Sequence, residues 1–175
     1  GSGGGKAWSV RGGGARSEAE GYRTHSESRT RNGFLNLGRS FRNGDAIDLR
    51  LAVGEIDLTY PGGLVYEDYR SDPKASEKLG IEGSLNEYLT LTSRAQGRRS
   101  WGDWEVLATF REDRSDFVFE PVDFYGRTEQ GGFNVKPRVR IGTGAHQCIS
   151  GVDAAYDDAR FTAFLDPSRE LDFSH

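Results

Sequence analysis

The chain reads as an all-β protein, an antiparallel two-sheet β-sandwich of the jelly-roll kind with one short helix. Three observations predict this. Apolar and polar residues alternate with period two in run after run. Gly, Asn, Asp and Pro cut the runs, many of them about 8–12 residues apart, as in sandwiches and barrels. A single segment, Asp72 to Leu79, carries helix punctuation, with Asp72 as N-cap, Pro73 in the first turn and Gly80 as stop.

Taken in order, residues 1–33 differ from the rest. They hold nine glycines, few aliphatic residues and a net charge of +3, against −7 for the remainder. Such a segment buries too little apolar surface to offset its ordering entropy, so it is expected to be a flexible Gly/Arg-rich arm, at least partly disordered. Residues 34–175 are expected to form one β-sandwich domain. Phe34 to Leu37 leads to a turn at Arg42-Asn43-Gly44-Asp45, where Asn-Gly supplies the positive φ of a tight hairpin. In Ala46 to Val53, Ile47, Leu49, Leu51 and Val53 share one face, with Asp48 and Arg50 on the other. Further alternating runs are Glu55–Tyr60, Leu64–Tyr69 and Glu87–Thr92, and Ser93 to Ser100 reads as an exposed loop. Trp104–Phe110, Phe117–Phe119, Phe133–Val135, Val139–Ile141 and Phe161–Leu165 complete the strands.

Composition narrows the function. A net charge of −4 over 175 residues argues against a nucleic-acid partner. No apolar run approaches the eighteen or so residues of a membrane-spanning helix, so no membrane span is expected. The single cysteine, Cys148, forbids an intrachain disulfide, and three scattered histidines argue against a transition-metal site. The chain begins without Met, which points to a removed leader or a domain of a longer protein.

Four constellations bear on chemistry. In Gly54-Glu55-Ile56-Asp57-Leu58, a strand places Glu55 and Asp57 on one face, about 6.6–7 Å apart along the chain. The segment resembles the Glu-Ile-Asp core of laminarinase-like glycoside hydrolases, which implies Glu55 as nucleophile. The family's general acid is missing here, since Leu58, Thr59 and Tyr60 follow. In Gly151 to Phe161, the Tyr156-Asp157-Asp158-Ala159-Arg160-Phe161 ending resembles the closing strand of jelly-roll carbohydrate-binding modules. That resemblance implies a structural Ca2+, for which Asp153, Asp157 and Asp158 supply oxygens, with Glu18 and Glu20 as partners. Asn32 to Leu49 resembles a hairpin in the accessory β-sandwich of β-arabinofuranosidase-type hydrolases, which bears on fold alone. Finally, Trp101-Gly102-Asp103-Trp104 places two indoles on opposite faces of a regular strand. One is then free to stack on a sugar, with Asp103 and Arg99 supplying hydrogen bonds and Tyr125 joining the platform.

The expectation from these residues is non-catalytic binding of an oligo- or polysaccharide by an extracellular or cell-surface domain stabilised by Ca2+. The first alternative is a structural subunit of a shell, filament or tail, self-associating through residues 1–33. The second is a small glycan hydrolase or lyase built on Glu55 and Asp57.

Overall fold

The computed structural model describes residues 7–23, 26–60, 66–75, 82–119, 124–143, 146–166 and 169–174. Nine strands form along the chain: β1 (Ala7–Glu20), β2 (Glu27–Ser40), β3 (Ala46–Tyr60), β4 (Glu82–Arg99), β5 (Gly102–Phe119), β6 (Phe124–Thr143), β7 (His146–Gly151), β8 (Ala154–Asp166) and β9 (Arg169–Ser174). One helix, α1 (Tyr66–Ser71), lies between β3 and β4.

All nine strands belong to one sheet in the order β1-β2-β3-β4-β5-β6-β8-β9, with β7 also on β6. Every pairing is antiparallel. The chain is therefore all-β as expected, but its described strands make a single up-and-down meander and not the two facing sheets of a jelly roll. Alternation reveals which face of a strand is apolar. It does not reveal whether a second sheet lies over that face.

Four other expectations change. Residues 7–33, read as a flexible arm, form β1 and the first half of β2, paired without interruption from Ala7↔Ser40 to Glu20↔Glu27. Ladder hydrogen bonds need only backbone, so a segment poor in apolar side chains joins a sheet when a neighbouring strand is in register. Residues 1–6 of the expected arm lie outside the described residues. Ser93 to Ser100, read as a loop, is strand through Arg99. The helix falls upstream of Pro73, on Tyr66–Ser71. The run Leu64–Tyr69, read as a strand, is therefore helical in its described residues 66–69. Asp72 N–H donates to the Asp68 carbonyl at 2.8 Å, and the Asp72 side chain accepts from Lys74 N–H at 3.0 Å. Asp72-Pro73 thus ends a helix, because the residue before proline disfavours the α region. Residues 76–79 of the expected helix, and its stop Gly80, lie outside the described residues.

Local chemistry accounts for the joints. Gly44 takes φ +84° in the β2–β3 turn, a conformation that costs other residues energy. Between β7 and β8 the ladder breaks opposite Pro137, whose carbonyl accepts from Val152 N–H at 3.1 Å. The N–H and C=O of one strand residue point to the same neighbour, so the donor that proline lacks is missing where the strand divides. Side-chain packing is sparse. Ala163 is the only buried apolar side chain among the described residues, near a cluster in which Phe117 lies 5.5 Å from Phe124 and 6.3 Å from Phe161. The cluster closes over Gly126, where a Cβ would fall 2.0 Å from the Phe117 ring. The accessible surface is 12,730 Å². A globular chain of this mass exposes about 8,500 Å². This is one layer, not a core between two.

Candidate functional site

The residues singled out in the sequence fall at separate places on the sheet. Glu55 and Asp57 share a face of β3 as expected. Glu55 stands opposite Arg31 and Glu87, with an Arg31–Glu55 ion pair at 3.5 Å. Glu87 is a third carboxylate beside the pair, and only the β3–β4 register reveals it.

Trp101 occupies the tight turn between β4 and β5 and is 49% exposed. Trp104 is half-buried on β5, opposite Gly97, with its indole N–H unpartnered and the Arg99 guanidinium 5.7 Å from its ring. Arg99 is held by two hydrogen bonds to Asp45, at 2.6 and 2.9 Å, which lower the Asp45 pKa. Asp103 points to the other face, bonded by Arg98 at 2.8 Å, and that bond lowers its pKa. Tyr125 is not part of this group. It stands opposite Val118, at the far end of β5 from Trp104.

The three aspartates expected to hold Ca2+ are not brought together. Asp153 sits in the β7–β8 break, where hydrogen bonds from Lys136 at 2.8 Å and Asn134 at 2.6 Å lower its pKa. Asp157 and Asp158 are consecutive on β8 and therefore project from opposite faces. Glu18 and Glu20 lie on β1, at the other edge of the sheet. Among the described residues no three His, Cys, Asp or Glu side chains are grouped to hold a metal.

What the structure assembles instead is a surface. Residues directly opposite in an antiparallel ladder share a face, so the register sorts the whole sheet into two sides. One face carries a row Val10–Leu37–Leu49–Ser93–Ala108–Val135–Ala154, and beside it Gly12–Leu35–Leu51–Leu91–Phe110–Phe133–Tyr156. The row directly behind the first, on the other face, is Arg11–Asn36–Arg50–Thr92–Thr109–Asn134–Ala155. Exposed apolar side chains follow this division. Trp8, Val10, Leu35, Ile47, Leu49, Val53, Leu91, Phe110, Phe133, Ile141 and Tyr156 are on the first face, and only Phe34, Tyr60, Ile149 and Phe161 are exposed strand hydrophobics on the second.

The apolar band is bounded by charge. Toward the end where β1, β3 and β5 finish, the row Arg16–Arg31–Glu55–Glu87–Arg114–Glu129–Arg160 is charged on seven strands, from β1 to β6 and on β8. The next row adds Glu18, Arg29, Asp57, Asp116 and Arg127. These charges pair with one another. Arg29 bonds Glu18 at 2.9 Å, and Glu18 also pairs with Arg16. Arg127 and Arg114 bond Asp116 at 2.6 and 2.9 Å. Burial pushes the Asp116 carboxyl up, but the two arginine hydrogen bonds outweigh it and hold it below the usual value.

The connections at the two ends are unequal. At the charged end, residues 61–81, which include α1, join β3 to β4. At the other end the joins are Phe41–Asp45, Ser100–Trp101 and residues 144–145. Set against protein-family models, curated proteins and solved structures, the chain matches none of them.

Proposed function

We propose that this sheet is a stretch of the wall of a transmembrane β-barrel, with its apolar face toward lipid and its polar face toward the lumen. The observation that carries the reading is the apolar band itself. It crosses the strands from Trp8 on β1 to Tyr156 on β8, has a polar row directly behind it and ends abruptly in charge. On β6 its uncharged positions run from Gly131 to Ile141. That is about 34 Å of strand on β6, or about 24–28 Å of depth at the usual barrel tilt, against a lipid-facing band of about 25 Å. On β3 (Ile47 to Val53) and β5 (Trp104 to Phe110) the stretch is about 20 Å of strand, or about 14–17 Å of depth.

Three features agree. The strands β1 to β6 are 14–20 residues long. Strands of ordinary globular sheets number about 3–10. The longest connection, residues 61–81, is at the charged end, and outer-membrane barrels likewise carry their longer loops on one side; the other connections at both ends are short. The strand ends also step along the sheet. β4 runs on from Gln96, opposite the start of β3, to Arg99, and β6 runs on from Arg140, opposite Asp103, to Thr143. A stagger of this kind is what strand tilt in a closed barrel requires. The edges of β1 and β9 then have to be paired on insertion, by each other or by those of further copies of the chain, since lipid tolerates no open sheet edge.

The expectation of no membrane span was an argument about helices. No helix among the described residues is long and apolar enough to cross a membrane. A barrel crosses with strands, in which only alternate residues meet lipid. The test is reconstitution. The 175-residue chain, refolded with phospholipid vesicles, is expected to float with them and to resist extraction by alkaline carbonate. A chain that stays in the aqueous phase as a soluble monomer overturns the proposal.

A second reading, saccharide binding, is supported by Trp101. Its ring is exposed at the β4–β5 turn, and the strands that turn joins supply Arg98, Asp103, Trp104 and Glu105 to a groove whose lining does not include Trp101. A glycan array separates the two readings. Binding lost in Trp101→Ala supports the saccharide reading, and a blank array removes it.

A further inference from the structure

We propose that Arg39 binds the phosphodiester of a membrane phospholipid in the leaflet nearest the short turns. This rests on the membrane reading above and adds a specific lipid contact to it.

Arg39 is out of keeping with its row. On the apolar face it lies between Trp8 and Ile47, in a row continued by Ala95, Val106 and Pro137. It is the one charged residue there. Six other arginines of this face have carboxylate partners: Arg16, Arg29, Arg31, Arg99, Arg114 and Arg127 are ion-paired. Arg160, which has no ion pair among the described residues, stands beside Glu129 in the charged row. Arg39 has no ion pair among the described residues, and its Nε is buried without an acceptor. A buried guanidinium donor left unmatched costs free energy until something accepts from it.

The side chain is nonetheless held in place. Its guanidinium carbon lies 4.7 Å from the Trp8 ring centre and 4.8 Å from that of Phe41. Phe41 is the first residue of the β2–β3 turn, so the arginine reaches from the apolar band toward the short-turn end. This is how long cationic side chains behave at a bilayer boundary, with the stem in the apolar layer and the head at the level of the polar groups. With the guanidinium carbon close to both rings and Nε buried, the terminal N–H groups are the donors left for an outside acceptor. A planar fork of donors matches two phosphate oxygens. A carboxylate partner from the protein would satisfy the group equally well, but the carboxylate of this face nearest in the ladder, Asp45 opposite Phe41, is already held by two hydrogen bonds from Arg99. In a bilayer, the acceptor present at that depth is the lipid phosphate.

Native mass spectrometry of the 175-residue chain in dodecyl maltoside, loaded with phosphatidylethanolamine and phosphatidylglycerol, tests this. The wild-type chain is expected to retain phospholipid, and Arg39→Gln to retain at least fivefold less. Diacylglycerol, which lacks the phosphate, is not expected to be retained, and millimolar inorganic phosphate is not expected to displace the lipid. Arg11→Gln, on the opposite face of β1, is expected to leave retention unchanged. Trp8→Leu keeps the charge but removes one ring, and is expected to lower retention about threefold. It serves as the reading if Arg39→Gln does not fold.

Equal retention by wild type and Arg39→Gln overturns the assignment, as does equal retention of diacylglycerol or displacement by inorganic phosphate. If the wild-type chain floats with vesicles but fails this test, only the Arg39 assignment falls. If it does not float, both fall.

Discussion

Placing a charge in the apolar band separates a lipid-facing sheet from a water-facing one. Leu49 lies midway along the apolar stretch of β3, between Ile47 and Val53, and its side chain is 40% exposed. In water, Leu49→Arg is an exposed surface change, worth within about 0.5 kcal/mol either way. In lipid, the same substitution near the bilayer midplane costs about 2–4 kcal/mol, or about 30- to 700-fold in the folding equilibrium. Val53 is four residues further along the strand and adjoins the charged row. At the usual rise and tilt it lies about 10 Å closer to the boundary, where an arginine costs about 0–1 kcal/mol. Thr109 is in the row directly behind Leu49, flanked by Thr92 and Asn134 on the polar face, so Thr109→Arg is expected to be close to neutral. The assay is urea-dependent folding into phospholipid vesicles, followed by tryptophan fluorescence. The expected order of cost is Leu49→Arg, then Val53→Arg, then Thr109→Arg. If Leu49→Arg proves as mild as Thr109→Arg, the apolar face does not meet lipid, and the assignment of inside and outside is wrong.

Other consequences are open to measurement. Gly126→Val places side-chain atoms where the Phe117 ring lies and is expected to cost about 1–3 kcal/mol, read as a lower urea midpoint. Glu18, Asp45 and Asp116 are all held below their usual pKa values by arginine partners. Their stabilisation is therefore full above the ordinary carboxylate range and is lost as the pH falls below it, through their lowered values. The unfolding midpoint is expected to drop from about pH 5 downward, and Asp116→Asn to lower it at pH 7 while flattening part of that drop. Pro137→Val restores the missing ladder donor. Amide exchange at Val152 and its neighbours is expected to slow, and unchanged exchange would mean that the β7–β8 break has another cause.

Much of the local structure was legible in the sequence. The hairpin around Asn43-Gly44, the alternation from Ile47 to Val53 and the opposed sets Tyr88/Thr90/Thr92 and Leu89/Leu91 all follow from period two and one turn signal. Strand length was not legible, because the strands continue through polar residues. Arg94 to Arg99 is indistinguishable from a loop until Val106, Glu105 and Trp104 are known to lie opposite Ala95, Gln96 and Gly97. The same holds for β1, whose glycines are bonded to a neighbour that supplies the side chains. The candidate site was harder still. Glu55 and Trp104 were visible as chemistry-bearing residues. That Glu55 belongs to a row of charges spanning seven strands, and Arg39 to a row of apolar ones, is a property of the register. No local sequence window contains it.

The same reasoning explains why so hydrophilic a chain offers a lipid-facing surface. The mean hydropathy is −0.67, and charged residues make up 29% of the sequence. Averaged along the chain, such numbers describe a protein that belongs in water. A strand, however, presents alternate residues to opposite sides, so an average over neighbours mixes Leu49 and Leu51 with Asp48 and Arg50. Separated by register, one side is apolar across the sheet and the other is fit to line an aqueous space. A sandwich would meet the apolar side with a second sheet of matching area. Here most of the exposed apolar strand residues lie on the single face that needs covering, and the apolar residues of the other, such as Phe117, Phe124 and Phe161, pack against one another within the same sheet. The cover therefore has to be apolar and thick enough for the whole band. It also has to give way to a polar boundary where Arg16, Glu55 and Glu129 begin, and a bilayer meets all three demands at once.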